Sequence, residues 1–259
     1  MKSLNRVVAA TPPSGIRRFF DVASQMVTGA ARQNSQVVLL PELWSTGYDL
    51  SNAQALAREN QALLPEIARL ACENSVFIGG SLLLGREGKV YNTFVFQPPT
   101  QNEPVLYSKI HLFRLMSEDR WLTPGDQLQQ VEAPWGQTGL AICYDLRFPE
   151  MFRHYALAGS RLFLISAEWP LARIQHWQIL LRARAIENQC FIAATNCTGL
   201  CGGETFGGSS AVISPWGETL VEASTGQPEL HTISIDMDQV PSVRNKIPIL
   251  KDRRPDVYG

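Results

Sequence analysis

Short, continuously apolar runs recur along the chain with helically spaced stretches between them, and this alternation restricts the fold more than any other feature. Val37-Val38-Leu39-Leu40 is branched and apolar at every position, as expected of a strand covered on both faces, and Pro41 ends it. Comparable runs at 7–10, 76–84, 90–96, 105–110, 128–132, 138–143, 161–166, 190–195, 209–213, 218–223 and 231–235 read as further strands. Ile16, Phe19, Phe20, Ala23, Met26, Val27 and Ala30 recur at helical spacing behind Ser14, a suitable N-cap. A second helix is expected from Ala53, with a break near Pro65 that makes this residue the first turn of a new segment over 66–72. Residues 148–158, closed by Gly159, and residues 175–188 are the other helices. Crossovers and hairpins both occur, which predicts an α/β fold with mixed sheets covered by helices. No linker, repeat or low-complexity segment divides the chain, so residues 1–259 are expected to form one domain.

An apolar fraction of 45% with 18% charged residues suits a globular protein long enough to bury a large core. The formal charge is -1, and the basic residues are dispersed apart from Lys251, Arg253 and Arg254, which argues against a nucleic-acid partner. Pro12 and Pro13 leave the N-terminal stretch no apolar signal core, and 76–84 falls well short of the ~18 residues of a membrane span. A cytoplasmic protein without membrane partners is expected. The cysteines (Cys72, Cys143, Cys190, Cys197 and Cys201) are odd in number and lack the spacing of a disulfide scaffold. Cys197 and Cys201 invite a metal reading, but His111, His154, His176 and His231 show no paired ligand spacing nearby, so small buried or loop thiols are the preferred reading.

Three segments place a reactive group directly after an apolar run: Pro41-Glu42-Leu43, Ser108-Lys109-Ile110-His111 and Ile142-Cys143-Tyr144-Asp145. Ligand crevices of α/β folds form at strand ends, so the coincidence matters more than any one residue. Taken singly, Glu42 is also explained as a solvated charge, and Cys143 as an inert buried thiol. Lys109 has apolar neighbours, where an ammonium is costly unless paired. His111 shares its face if the strand continues, which makes it a rival general base in a cysteine-histidine scheme. Cys143 lies where a strand turns into a helix near Pro149, exposed to helix N-terminal amides that favour thiolate.

Together the segments resemble the nitrilase superfamily of carbon-nitrogen hydrolases, whose members carry P-E-L/M, K-x-H-L-F and C-Y-D-L/M-R-F segments in this order. Here they read Pro41-Glu42-Leu43, Lys109-Ile110-His111-Leu112-Phe113 and Cys143-Tyr144-Asp145-Leu146-Arg147-Phe148. Arg182-Ala183-Arg184-Ala185-Ile186-Glu187-Asn188 and Arg253-Arg254-Pro255-Asp256 extend the likeness to roughly 37–256, and only the proline pair near the start is atypical. The resemblance implies a four-layer α-β-β-α sandwich, a homodimer built by helices packing on helices, and a second glutamate at Glu118, with Asp119 in its place if the loop register slips.

Amide hydrolysis needs a nucleophile, a base that returns its proton to the departing amine, and donors at the oxyanion. Cys143, Glu42 and Lys109 supply these, helped by the backbone N–H of Tyr144, with Glu118 holding Lys109 or the water. No metal or organic cofactor is required. The segments around Cys143 look like the omega-amidase branch, and nitrile or carbamoyl hydrolysis uses the same residues. Trp44, Tyr48, Phe113, Trp169 and Asn196 adjoin strand ends that should border one pocket for a small amide, and Arg173 is a candidate grip for a substrate carboxylate. Its alternative is an exposed arginine at a helix start. Arg147 is expected to pair with Glu150 at helical spacing. A non-catalytic scaffold on this fold has no need of four converging reactive groups.

Overall fold

The computed structural model describes residues 3–9, 16–201, 203–225 and 229–258. The expected N-cap Ser14 lies outside them. In chain order the elements are β1 (Ser3–Ala9), α1 (Ile16–Ala31), β2 (Val37–Leu39), α2 (Ala53–Asn74), β3 (Phe77–Arg86), β4 (Lys89–Gln97), β5 (Val105–Ser108) and α3 (Glu118–Trp121). There follow β6 (Gln130–Ala133), β7 (Gly136–Ile142), α4 (Pro149–Leu157), β8 (Leu162–Ala167), α5 (Ile174–Asn188) and β9 (Phe191–Asn196). The remainder comprises β10 (Thr198–Cys201), β11 (Glu204–Gly207), β12 (Ala211–Ile213), β13 (Thr219–Glu222), β14 (Glu229–Asp236), α6 (Gln239–Lys246) and α7 (Pro255–Tyr258).

Two sheets carry the architecture: β2-β3-β4-β5 and β13-β12-β9-β8-β7-β6, with β1 and β14 forming an antiparallel ribbon. The period-two alternation of strands decides what each face packs against. In β4, Phe94 and Phe96 join Val37, Leu39 and Tyr107 in meeting Leu140, Ile142 and Leu164 of the larger sheet, whereas Val95 turns outward. On that outer side, Phe20, Ala23 and Val27 of α1 and Leu63, Ile67 and Ala71 of α2 cover Val38, Ile78 and Leu82. Met151, Phe152 and Tyr155 of α4 and Trp177, Leu181 and Ala185 of α5 cover the far face of the larger sheet. The result is the α-β-β-α sandwich that the family resemblance implied.

The expected break at Pro65 does not occur. α2 runs unbroken through it for 22 residues, because Ala57, Asn60, Leu63, Ile67 and Ala71 bury one continuous face and packing outweighs the lost backbone donor. The segment after Asn196, which carried no strand reading, forms the β10–β11 hairpin. No helix among the described residues is long and apolar enough to cross a membrane.

Strand direction positions the site. β7, β8 and β9 are parallel, and their carboxyl ends lie side by side in the register Ile142 to Ser166 and Ala167 to Asn196. In the facing sheet β2 is parallel to β3, and β5 regains that direction through two antiparallel pairings. The residues that follow β2, β5, β7 and β8 therefore emerge at one end of the sandwich, where the crevice of an open α/β sheet forms.

Candidate active site

Glu42 follows β2 and is fully buried. Its Oε1 accepts from Lys109 Nζ at 2.8 Å and from Asn92 Nδ2 at 2.7 Å, and its Oε2 accepts from the Glu168 backbone N–H at 2.8 Å. Asn92 reaches it because it shares the inward face of β4 with Phe94 and Phe96. Lys109 comes one residue after β5, on the parity of the inward-facing Tyr107, and carries its ammonium into the same dry space. Its Nζ also donates to Glu118 Oε1 at 2.7 Å. Glu118 opens α3, takes the Phe113 N–H on Oε2 at 2.6 Å and accepts the Tyr48 hydroxyl on Oε1. Asp119 is exposed, so of the two it is Glu118 that meets Lys109.

Burial raises the Glu42 carboxyl above its ordinary range against the opposing pull of Lys109. Burial alone would discharge Lys109, but Glu118 and Glu42 hold it charged well above the ordinary lysine range. One ammonium thus serves two buried carboxylates, an arrangement that loses an estimated 3–5 kcal/mol if either side is removed alone.

Cys143 is the first residue past β7 and adopts φ +44°, a left-handed conformation unusual for a side chain of this size. Leu43, directly after Glu42, has the same φ, so both reactive residues lie at sharp bends off a strand end. The bend at Cys143 is pinned from three sides. Asp145 Oδ2 takes the Ile142 N–H at 2.9 Å and the Tyr107 hydroxyl at 2.7 Å, and its Oδ1 takes the His111 N–H at 3.1 Å. From α5, Arg184 Nε donates to the Leu146 carbonyl at 3.0 Å. The Cys143 thiol lies 3.8 Å from the Glu168 carbonyl oxygen and within hydrogen-bond reach of Glu42. Burial first, then the Glu42 carboxylate, push it well above its usual range despite Lys109, so the resting group is a thiol beside a base.

His111 is not on that face. β5 ends at Ser108, and the ring stacks on Phe148 at 3.6 Å with Nδ1 2.8 Å from Asp145 Oδ1. A cysteine-histidine pair is therefore not what the chain builds.

A shallow pocket opens at Cys143, walled by Phe113, Tyr144, Arg147, Trp169, Pro170 and Arg173. Phe113, Trp169 and Arg173 are among these lining residues, with the Arg173 guanidinium 5.6 Å from the Phe113 ring centre. Trp44 does not: the bend at Leu43 sends its indole to the outer face of the smaller sheet, against Phe20 and the bare backbone of Gly80. Tyr48 meets the cluster through its hydroxyl on Glu118. Asn196 is committed to the backbone, accepting the Trp169 N–H at 2.5 Å and donating to the Gly208 carbonyl at 2.8 Å. The expected Arg147–Glu150 pair is absent among the described residues. Arg147 instead lies over Trp169 at 4.7 Å, with Nη2 3.3 Å from His176 Nδ1.

A thiol, a carboxylate and a paired ammonium converging at parallel strand ends agree with what sequence comparison finds. The profile of the carbon-nitrogen hydrolase family matches residues 6–245. The chain belongs to this family. A 2-oxoglutaramate amidase of Bacillus subtilis is 40% identical over 87% of this chain and 88% of its own length. The omega-amidase of Mus musculus is 34% identical over 91% and 89% respectively. A solved nitrilase-superfamily neighbour, a glutamate-to-glutamine variant of an amidase from Nesterenkonia with the acetamide moiety of fluoroacetamide added at its active-site cysteine, superposes with TM-score 0.87 at 27% identity. That match covers 99% of this chain and 95% of the other.

Within this carbon-nitrogen hydrolase, sequence reasoning gave no place at the site to Asn92, Asp145, Arg147 or Glu168. Two left a readable signal: Asn92 is polar within an apolar strand, and Glu168 follows an apolar run just as Glu42 does. The contacts of Asp145 and Arg147 are visible only once the turn over 143–147 is built.

Proposed function

We propose that this enzyme is an omega-amidase-like hydrolase, cleaving the terminal carboxamide of a dicarboxylic monoamide to the dicarboxylate and ammonia. The observation that carries the reading is the Cys143 thiol held at a strained strand end beside Glu42, with Lys109 paired to Glu42 and Glu118. The printed activities of its Bacillus subtilis and Mus musculus relatives support the substrate class.

In this reading Glu42 accepts the thiol proton as Cys143 Sγ attacks the amide carbon. Charge grows on the carbonyl oxygen, and Lys109 Nζ with the Tyr144 backbone N–H stabilises it. Glu42 passes its proton to the nitrogen, the C–N bond breaks, and ammonia leaves a thioester on Cys143. Glu42 then takes a proton from water as its oxygen attacks the thioester, and the thiolate recovers that proton as the acid departs. Glu118 keeps Lys109 aimed and exchanges no proton. The scheme uses no metal or organic cofactor. Arg173, and Arg147 across the pocket, supply guanidinium groups for the distal carboxylate, with Phe113 and Trp169 as the walls.

Residues 1–259 act as one domain in this reading, since the site draws on both sheets. Ile179 and Ile186, exposed seven residues apart on α5, with Leu157 of α4, support a homodimer joined through these helices. Five unpaired cysteines fit the reducing cytoplasm.

Ammonia release from dicarboxylic monoamides, neutral amides of equal length, nitriles and carbamoyl compounds tests the proposal. Turnover should be greatest on the monoamides. Preference for nitriles or carbamoyl compounds would overturn the substrate class, and no turnover at all would favour a scaffold.

A further inference from the structure

Glu168 is a third carboxyl group beside the reacting pair, and the scheme above leaves its side chain without a task. It is the first residue past β8. Its backbone already touches both partners, donating its N–H to Glu42 Oε2 at 2.8 Å and accepting the Cys143 thiol on its carbonyl oxygen at 3.8 Å. The side chain is only 4% exposed. Its Oε1 accepts the Cys197 thiol at 3.4 Å, and its Oε2 is buried without a protein partner among the described residues.

Among the described residues no cation forms an ion pair with it. Lys109 is the ammonium of this region, and it is engaged by Glu42 at 2.8 Å and Glu118 at 2.7 Å. With those three groups charged the cluster already carries one surplus negative charge, and an ionised Glu168 would make it two among buried side chains. An unpaired buried charge is among the most costly features a fold can hold, so the group keeps its proton. The other titratable groups against its side chain are thiols: Cys197, which donates to Oε1, and, across the bend at Gly47, Cys201. None supplies positive charge.

We propose that Glu168 is a positioning residue that works only as the uncharged carboxylic acid, and that its ionisation disables the site by forcing charge against the peptide that clamps Glu42 and Cys143. The inference rests on the reading of Cys143 as nucleophile and Glu42 as base. Burial, then the Glu42 carboxylate, hold the Glu168 carboxyl well above the usual carboxylate range, in keeping with a protonated group. Once ionised, it repels Glu42, draws on the Cys197 thiol and opposes the negative charge that the attack of Cys143 must build. The step is loss of one proton to solvent, and no other bond changes.

Glu168→Gln replaces the acid by a neutral group of the same shape that cannot titrate. Infrared difference spectra between wild type and Glu168→Gln at neutral pH should show a protonated-carboxyl C=O band in wild type alone. In the pH profile of kcat/KM on any amide turned over, the variant should keep activity of the same order at the acid end, and its alkaline fall should move to higher pH. Should Glu168→Gln fail to fold, Cys197→Ser serves: a hydroxyl donates to Oε1 more strongly than a thiol, favours the carboxylate, and should move the alkaline fall to lower pH. Absence of the infrared band, loss of activity at every pH in a folded Glu168→Gln, or an alkaline limb unmoved by either variant would each overturn the proposal. The band requires no substrate, so a failure of the amidase reading is told apart from a failure of this one.

Discussion

Cys143 and Cys190 are both buried, both adjoin strands of the six-stranded sheet, and both have thiols raised by burial, yet they lie at opposite ends of their strands. Cys143 follows β7 at its carboxyl end, whereas Cys190 precedes β9 at its amino end. The Cys190 sulfur lies 3.0 Å from Arg244 Nη2, 3.1 Å from the Ser160 carbonyl and 3.2 Å from that of Asn188. A nearby guanidinium favours thiolate, but burial outweighs it and the group is pushed up to about 11. Cys143 has a weaker claim to ionise and a stronger claim to react, because a carboxylate lies in reach of its proton and an ammonium is in place for charge that appears later. A cation beside a buried thiol does not make a nucleophile; a base and a place for the oxyanion do.

Replacing each sulfur is the most severe test of that contrast. Cys143→Ala should abolish turnover in a folded protein, and Cys190→Ala should leave kcat/KM within the same order while lowering stability. Mass spectrometry of a slow substrate should show an acyl adduct on Cys143. An adduct on Cys190 or Cys197 would reverse the assignment. Glu42→Gln comes next, with a loss of about 10²- to 10⁴-fold in kcat, the range of general base catalysis. His111→Asn should cost far less, because its ring serves Asp145 and the turn rather than the thiol; the opposite ranking in steady-state assays would restore the histidine scheme.

The difference between the two cysteines was partly legible before any coordinates. A run such as Thr138 to Ile142 followed by Cys143 announces a strand end, and burial on both faces of a parallel sheet is what makes such runs readable. The pairing of Lys109 with two glutamates was also foreseeable, since an apolar segment cannot hold a lone ammonium. What escaped depends on angles. Trp44 and Glu42 are two residues apart, but the positive φ at Leu43 sends one outward and leaves the other inside. Arg147 was assigned to Glu150 by helical spacing, yet residues 143–147 form a tighter 3-10 turn and α4 starts only at Pro149, so the spacing did not apply. Glu168 had the same strand-end signal as Glu42, and only its surroundings separate a paired carboxylate from a protonated one.

The pocket offers a smaller effect that sharpens the picture of Cys143 as the substrate-facing thiol. Arg173 is half-buried beside it, and with a formal charge of -1 dispersed over the chain there is no broad basic field to recognise an anion. Removing a charge-assisted contact costs about 1.5–3 kcal/mol, or roughly 10- to 150-fold in kcat/KM. Arg173→Met should show that loss on a dicarboxylic monoamide and little change on a neutral amide of equal length. Equal losses on both would make Arg173 structural.

The last effect concerns Cys190 and is read in stability alone, not in turnover. Its ordinary value of 9.0 applies to the unfolded chain, while in the folded protein burial moves the group to about 11 against the pull of Arg244. Below pH 9 both states carry the proton and ionisation contributes no difference. Between pH 9 and 11 the unfolded chain releases it and the folded protein does not, so stability falls as pH rises and levels off above the folded value. Two pH units correspond to about 2–3 kcal/mol for a fully buried group. Cys190→Ser keeps a donor for the Ser160 or Asn188 carbonyl and an acceptor for Arg244, but does not titrate in this window. Urea unfolding of both proteins from pH 8 to 11 isolates the effect from the other groups that ionise there, because those are common to the pair. The wild type should lose stability more steeply than Cys190→Ser across the window. Parallel curves would mean that Cys190 ionises as readily folded as unfolded, and that Arg244 activates this thiol after all.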